Sequence, residues 1–158
     1  MIPRRLVETR SVLFSDLDAQ GIVYNAHYLK YIDDALDGWL RRIGVTLGQS
    51  PWEVVVKKMD IEWFSPLYVG ELFEIVFKLS KKGNTSFELV FDAHAVCPPL
   101  PKRDEGVELA GYPRRTFSAK ALYVGVDGES RRPVPMPDWI YAELVEDDLG
   151  TRSSGAGD

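Results

Sequence analysis

The fold is decided by residues 25–43, NAHYLKYIDDALDGWLRRI. Apolar side chains recur there at intervals of three and four residues, which is the spacing of one buried stripe along an α-helix. Gly44 follows directly, and glycine is common where a helix ends. The stripe is broad and aromatic, so the sequence predicts one long helix in the centre of the core. Its members are Tyr28, Ile32, Ala35, Leu36, Trp39, Leu40 and Ile43.

On both sides of this helix the apolar period changes to two residues, which indicates β-strands. A loose alternation over residues 4–14 predicts one strand before the helix. Four alternating runs follow it, at residues 58–63, 73–79, 87–95 and 117–126, and a short last helix is predicted over residues 136–145. Lys82-Gly83-Asn84 has the composition of a hairpin turn. The order predicts an α+β fold in which one curved antiparallel sheet wraps around one long central helix.

Length and composition narrow the class of protein. The 158 residues predict one domain over residues 1–149, followed by a small, polar and disordered tail over residues 150–158. The net charge of −5 argues against nucleic acid as a partner. No segment is typical of a membrane span or a signal peptide, so we expect a cytoplasmic protein. The single cysteine, Cys97, excludes a disulfide within the chain, and no histidine and acid spacing predicts a metal site.

The chemistry is predicted in residues 14–28, FSDLDAQGIVYNAHY, between the first strand and the helix. Asp16 and Asp18 stand two residues apart in a predicted turn. Free backbone N–H groups at a helix start can stabilise a carbonyl oxygen that gains negative charge. A nearby carboxylate can attack that carbonyl or deprotonate a water that does. Gly21 allows the backbone a positive φ or a close approach to a ligand.

Structural explanations compete with this interpretation. An aspartate before a helix is commonly a cap or part of a turn, so spacing alone predicts only a ligand site at a helix start. His27 either orients a bound ligand or the Asp18 carboxylate, or lies on the helix surface without a role. Three acids of the helix form a solvated face, or one of them is a fallback catalytic carboxylate implied by the family resemblance that follows: Asp33, Asp34 and Asp37.

The segment resembles the active-site signature of the hotdog-fold acyl-CoA thioesterases, in particular the 4-hydroxybenzoyl-CoA thioesterase-like family. That signature runs Asp-x-Asp-x-x-Gly-x-Val-Tyr/Trp, followed by a tyrosine that enters the helix. Residues 61–71, IEWFSPLYVGE, and residues 126–137, VDGESRRPVPMP, are also similar to the family, so the resemblance covers roughly residues 5–145. The matching signature positions are Asp16, Asp18, Gly21, Val23, Tyr24 and Tyr28.

The resemblance implies a hotdog fold and the hydrolysis of a short-chain or aromatic acyl-CoA to the free acid and CoA, without a metal or redox cofactor. Asp18 falls on the catalytic carboxylate, a nucleophile or general base, and the helix-start amide near Tyr24 or Asn25 polarises the thioester carbonyl. Asp16 is similar to an acid that orders the turn. Lys81 and Lys82 are weaker candidates for binding CoA phosphates. The residues implied in substrate binding are Gly21, Tyr24, Asn25, His27 and Tyr28.

Two matters stay open at this point. Asn25-Ala26-His27 departs from the Tyr-Pro-Asn of 4-hydroxybenzoyl-CoA enzymes, so the acyl group is not fixed. An acyl carrier protein thioesterase and a non-catalytic acyl-CoA-binding module are the alternative functions. The resemblance also implies a homodimer or homotetramer with each site between two subunits. A second subunit would cover the outer sheet face at Val76 and Val90, unless these are half-exposed strand residues.

Overall fold

A computed structural model describes residues 1–99 and 110–146 of the chain. Strands β2 to β6 form one antiparallel sheet in the order β2-β4-β5-β6-β3, and β1 pairs with β7. The predicted α+β fold, one antiparallel sheet with one long helix, is confirmed. In chain order the elements are β1 (Ile2–Pro3), β2 (Leu6–Ser11), a 3-10 turn (Phe14–Asp16), α1 (His27–Arg42), β3 (Trp52–Trp63), β4 (Leu72–Lys82), β5 (Ser86–Cys97), β6 (Arg114–Asp127), α2 (Asp138–Leu144) and β7 (Val145–Glu146).

Helix α1 packs with its apolar stripe against one face of the sheet. Tyr28 stands edge-on to Phe117 of β6 with the ring centroids 5.2 Å apart, and Tyr31 lies 4.9 Å from Phe73 of β4. Tyr31 is a buried member of the stripe that the predicted set omitted. The helix begins at His27, two residues later than predicted, because the Tyr24 N–H donates to the Asp16 carbonyl and keeps the chain before it in a turn.

The strands are longer than their alternating patterns. β3 begins at Trp52, six residues before the predicted run, because a register shift between Val56 and Lys58 breaks the alternation. The predicted first strand is shorter than residues 4–14, since the chain leaves β2 after Ser11 and forms the 3-10 turn. The hairpin predicted at residues 82–84 is confirmed, with β4 ending at Lys82 and β5 beginning at Ser86.

Strand β3 is an edge of the sheet, and this matters for assembly. It pairs with β6 along one side, and no other strand of the described residues pairs with it. Val55 and Val56 on this edge are 38% and 51% exposed. On the outer sheet face Val76 and Val90 are half-buried. Their predicted coverage by a second subunit stays a prediction, as does the single domain over residues 1–149.

The remaining predictions concern the C-terminal tail, membrane-spanning helices and the last helix. The predicted tail, residues 150–158, lies outside the described residues. Within the described residues no helix is both long and apolar enough to cross a membrane. The last helix is confirmed as α2, Asp138–Leu144, two residues shorter than predicted at its start and one at its end. The β1 and β7 pair was not predicted, because strands of two residues are too short to show a period.

Candidate active site

The turn that carries Asp18 is held by its own backbone. The Asp18 N–H donates to the Ile22 carbonyl at 2.9 Å, and the Gly21 N–H donates to the Asp18 carbonyl at 3.0 Å. Gly21 has a φ of +76°, a conformation that glycine adopts at little cost. Asp18 Oδ1 accepts the Gln20 N–H at 2.7 Å, so the side chain forms a local turn with its own backbone. No protein donor meets Oδ2 in the part of the chain that the structure describes.

Neither aspartate of the motif caps helix α1. Its N-cap is Ala26, and no side chain of the described residues caps its first turn. The Tyr24 N–H is committed to the Asp16 carbonyl at 2.9 Å. The Asn25 N–H meets no acceptor among residues 1–99 and 110–146. Of the two amides that the resemblance implied, only that of Asn25 is available to a ligand.

Asp16 fastens the turn to the helix. Its Oδ2 accepts the Tyr31 hydroxyl at 2.7 Å and the Leu13 N–H at 3.0 Å, and its Oδ1 lies 3.3 Å from Nδ1 of His27. Burial alone would raise the pKa of Asp16, but these hydrogen bonds outweigh it and bring the pKa below its ordinary value. Asp16 is therefore an ionised anchor, which matches its predicted role in ordering the turn.

A pocket of about 380 Å³ opens between this turn, the start of α1 and the end of β3. Its volume is within the range of small-molecule sites. Tyr24, Tyr28, Trp63 and Phe64 supply four aromatic rings, and the Asp18 carboxyl is half-buried among polar groups. The lining residues are Asp18, Gln20, Ile22, Val23, Tyr24, Asn25, Tyr28, Trp63, Phe64, Ser65 and Pro66.

Tyr28 joins the pocket to the core. Its side chain is buried, and its hydroxyl accepts the Leu67 N–H at 3.1 Å. Burial raises the pKa of Tyr28, and the hydrogen bond from Leu67 offsets only part of that rise. The hydroxyl therefore keeps its proton at neutral pH. Trp63 stands edge-on to the Tyr28 ring at 6.1 Å, so the aromatic wall continues from the helix to β3.

The structure brings together most of the predicted site residues but not all of them. Asp18, Tyr24, Asn25 and Tyr28 line the pocket, and Gly21 shapes its turn. His27 does not line it, since its ring contacts the Asp16 carboxyl and stands edge-on to Tyr24 at 5.9 Å.

The predicted CoA-binding lysines lie far from the pocket. Lys81 and Lys82 are at the far end of β4, roughly 30 Å along the strand from its start near the pocket, and Lys82 Nζ lies over the Tyr141 ring. One chain therefore does not bring them to the pocket, and their CoA-binding role stays a prediction.

The three acids of helix α1 also lie outside the pocket. Asp34 pairs with Arg10 at 3.4 Å and with Lys30 at 3.1 Å, and Asp37 pairs with Arg41 at 2.7 Å. Asp33 is exposed. This arrangement fits the solvated face that the sequence left as an alternative.

The wall formed by Trp63, Phe64, Ser65 and Pro66 was not predicted as part of the site. The segment was noted only for its similarity to the family. Trp63 is the last residue of β3 and Phe64 lies beyond it. The alternation of side chains along a strand therefore does not predict where the ring of Phe64 points. Their exposures, 47% and 42%, are unusual for such large apolar side chains and are a signal visible only in the structure.

A larger concavity of about 920 Å³ lies on the outer face of the sheet. Charges of both signs line it, including Asp60, Lys78, Asp92 and Lys120, and none of the motif residues does. The smaller pocket is the better candidate site, because it is lined by the Asp18 carboxyl group and by Asn25, whose N–H has no acceptor among the described residues.

Comparisons with known proteins identify the family of the chain. The model of the thioesterase-like superfamily matches residues 12–144 of the chain. The 1,4-dihydroxy-2-naphthoyl-CoA hydrolase of Rippkaea orientalis is 30% identical over 140 residues, which are 86% of this chain and 92% of that protein. The acyl-CoA thioester hydrolase YbgC of Escherichia coli is 28% identical over 138 residues, 85% of this chain and 92% of its own.

Among solved structures, the fold is similar to that of Slr0204, a 1,4-dihydroxy-2-naphthoyl-CoA thioesterase from Synechocystis. The TM-score is 0.71 with 16% sequence identity, covering 89% of this chain and 96% of that one. The expected hotdog fold is thereby confirmed. The chain belongs to the thioesterase-like superfamily. Within that superfamily it is a thioester hydrolase of the hotdog type.

Proposed function

We propose that the chain hydrolyses acyl-CoA thioesters in the pocket that contains Asp18. One observation carries this proposal: within the described residues, the same pocket is lined by Asp18, whose Oδ2 has no protein donor, and by Asn25, whose N–H has no acceptor. The printed names of the relatives from Rippkaea orientalis and Escherichia coli, both CoA thioester hydrolases, support the same substrate class.

The chemistry follows from the two groups. The Asn25 N–H donates to the thioester oxygen, which gains negative charge as the carbonyl carbon becomes tetrahedral. Asp18 acts either as nucleophile, forming an acyl anhydride and expelling the CoA thiolate, or as general base that removes a proton from the attacking water. The bond from Gln20 to Oδ1 orients the carboxylate for either role.

Four aromatic rings around the pocket favour an aromatic acyl group over a short-chain one, because ring stacking adds to the burial of apolar surface. A thiol-release screen of short, medium, branched and aromatic acyl-CoAs tests this preference. Hydrolysis rates for the same acyl group on CoA and on acyl carrier protein test the carrier-protein alternative, which predicts the faster rate on the carrier protein. Tight acyl-CoA binding without thiol release would support the non-catalytic alternative.

Asp18→Asn tests the assignment of the catalytic carboxylate. The variant keeps the shape of the side chain and an oxygen for Gln20, but it loses the negative charge. We expect thiol release to fall by roughly 10²–10⁴-fold, with an unchanged circular dichroism spectrum. Asp37→Asn, the same chemical change at a half-buried position of α1 outside the pocket, is the matched control and should keep its activity. Full activity in Asp18→Asn would refute the assignment.

Turnover in H₂¹⁸O can establish a nucleophilic Asp18, because label in its side chain requires the anhydride; water that attacks the anhydride at the acyl carbon labels only the released acid. A nucleophilic carboxylate acquires ¹⁸O when water attacks the anhydride at the aspartyl carbon, whereas a general base acquires none. Mass spectrometry of the peptide that contains Asp18 measures the difference.

We further propose that the active form is a cytoplasmic homodimer or homotetramer. The unpaired edge of β3 ends at Trp63, which is also a wall of the pocket. A second subunit on that edge would complete the open side of the site.

A further inference from the structure

A buried ion pair adjoins the pocket wall. The Glu71 side chain is 1% exposed, and both of its carboxylate oxygens accept hydrogen bonds at 2.9 Å from Nη2 of Arg114. Oε1 also accepts the Tyr112 hydroxyl, and Oε2 accepts the Tyr68 N–H at 2.9 Å. A buried charge is retained only when its partners are well placed, so this cluster has a defined geometry.

Arg114 connects the ion pair to the wall. Its Nη2 donates to the Pro66 carbonyl at 2.9 Å, and its Nε donates to Ser65 Oγ at 3.1 Å. The guanidinium also lies over the rings of Tyr68 and Tyr112, at 5.6 and 5.4 Å from their centroids. A planar group with five donors suits these simultaneous contacts, and a lysine ammonium does not.

Leu67 transmits the position of the wall to the catalytic groups. Its N–H donates to the Tyr28 hydroxyl at 3.1 Å, and its carbonyl accepts the Val23 N–H at 3.0 Å. Val23 lies two residues before Asn25, and Tyr28 lies three residues after it. The wall is thus bonded to the chain on both sides of the amide that would bind the thioester oxygen.

We propose that Glu71 and Arg114 are positioning residues of the thioesterase site. They hold Ser65 and Pro66 of the wall, and through the adjoining Leu67 they fix the Asn25 amide relative to Asp18. Neither of them lines the pocket, so they act through other residues. This inference rests on the proposed acyl-CoA hydrolysis.

The kinetic test compares two buried carboxylates in one chain. Glu71→Gln removes the charge that holds Arg114, and Arg114→Lys keeps the charge but cannot make all of the contacts. We expect kcat to fall by about ten- to one-hundred-fold in both, with KM within about three-fold of wild type. The control is Glu53→Gln, since Glu53 is 4% exposed and pairs with Arg131 at the start of β3, roughly 30 Å along the strand from Trp63. It should lose stability but keep kcat.

Amide hydrogen exchange gives a measurement that does not need turnover. Well below the melting temperature of each variant, Glu71→Gln should raise the exchange rates of Val23 and Leu67 by about ten-fold or more, and Glu53→Gln should leave them unchanged. Unchanged rates in Glu71→Gln would overturn the route through Leu67. Raised exchange rates with an unchanged kcat would show that the ion pair holds the turn but does not contribute to catalysis. An enzyme that cleaves no thioester would instead refute the proposed function, and the exchange rates would still decide whether the ion pair holds the turn.

Discussion

At the residue scale, Asp18 shows why a local pattern left two interpretations open. Its Oδ1 is part of a turn with Gln20, which is the structural role that spacing favours. Its Oδ2 has no protein partner among the described residues, and the side chain lines the pocket, which suits the chemical role. The two interpretations are therefore compatible, and the cap interpretation is wrong because α1 has no side-chain cap.

Asp16 supports a prediction about pH. Its pKa is lowered in the folded protein, so its ionised form stabilises the fold above the ordinary value of 3.8, and this stabilisation is lost as the pH falls through the lower folded-state pKa. Asp16→Asn should cost about 1–3 kcal/mol at neutral pH, because buried donors lose a charged acceptor. Urea unfolding at pH 7 and at pH values below 3.8 measures the difference between wild type and variant.

That difference should shrink in acid. Asp34→Asn is the control, since its ion pairs are half-exposed and contribute little. A cost of Asp16→Asn that stayed constant or grew below pH 3.8 would contradict the ionised anchor.

At the element scale, the helix was the most predictable part of the chain. Apolar residues recur there at helical spacing, and the structure buries every member of the predicted stripe except Ile43, which is half-buried just after the helix. The start of the helix was less predictable, because the hydrogen bond between Tyr24 and Asp16 joins residues that no period relates. The wall around Ser65 was not predictable, since its position depends on Arg114, which is distant in sequence.

Leu40→Ala tests how far α1 supports the core. Leu40 is fully buried, and truncation leaves a cavity as well as removing apolar contacts. We expect a loss of about 2–5 kcal/mol in the free energy of unfolding, measured by chemical denaturation. Leu29→Ala is the matched control on the same helix, because Leu29 is 40% exposed. Equal losses in the two variants would show that the stripe does not stabilise the fold.

At the scale of the whole molecule, the sheet has two edges with different surroundings. β2 and β3 are both edge strands, but only β3 leads into the pocket wall. Periodicity predicted the number of strands in the sheet. It did not predict which strand is an edge, because strand order depends on pairing between residues far apart in sequence.

We predict that Val56→Lys on the β3 edge weakens the proposed assembly. The new ammonium would lose its hydration if another subunit paired with this edge. A lysine on an edge strand therefore opposes pairing with a second strand. Analytical ultracentrifugation should show a shift toward monomer, together with a loss of thiol release. Thr9→Lys, at an exposed position on β2, is the control for an added charge on the other edge. An unchanged sedimentation coefficient in Val56→Lys would argue against assembly through β3.

Leu67 has a consequence for how the chain can change over evolution. Both of its backbone groups are used, one for Val23 and one for Tyr28, whereas its side chain contributes only apolar bulk. Another apolar residue can replace it and leave both bonds in place. One residue inserted or deleted between Trp63 and Glu71 would break at least one of them. Selection should therefore act on the length of this connection more strongly than on its composition.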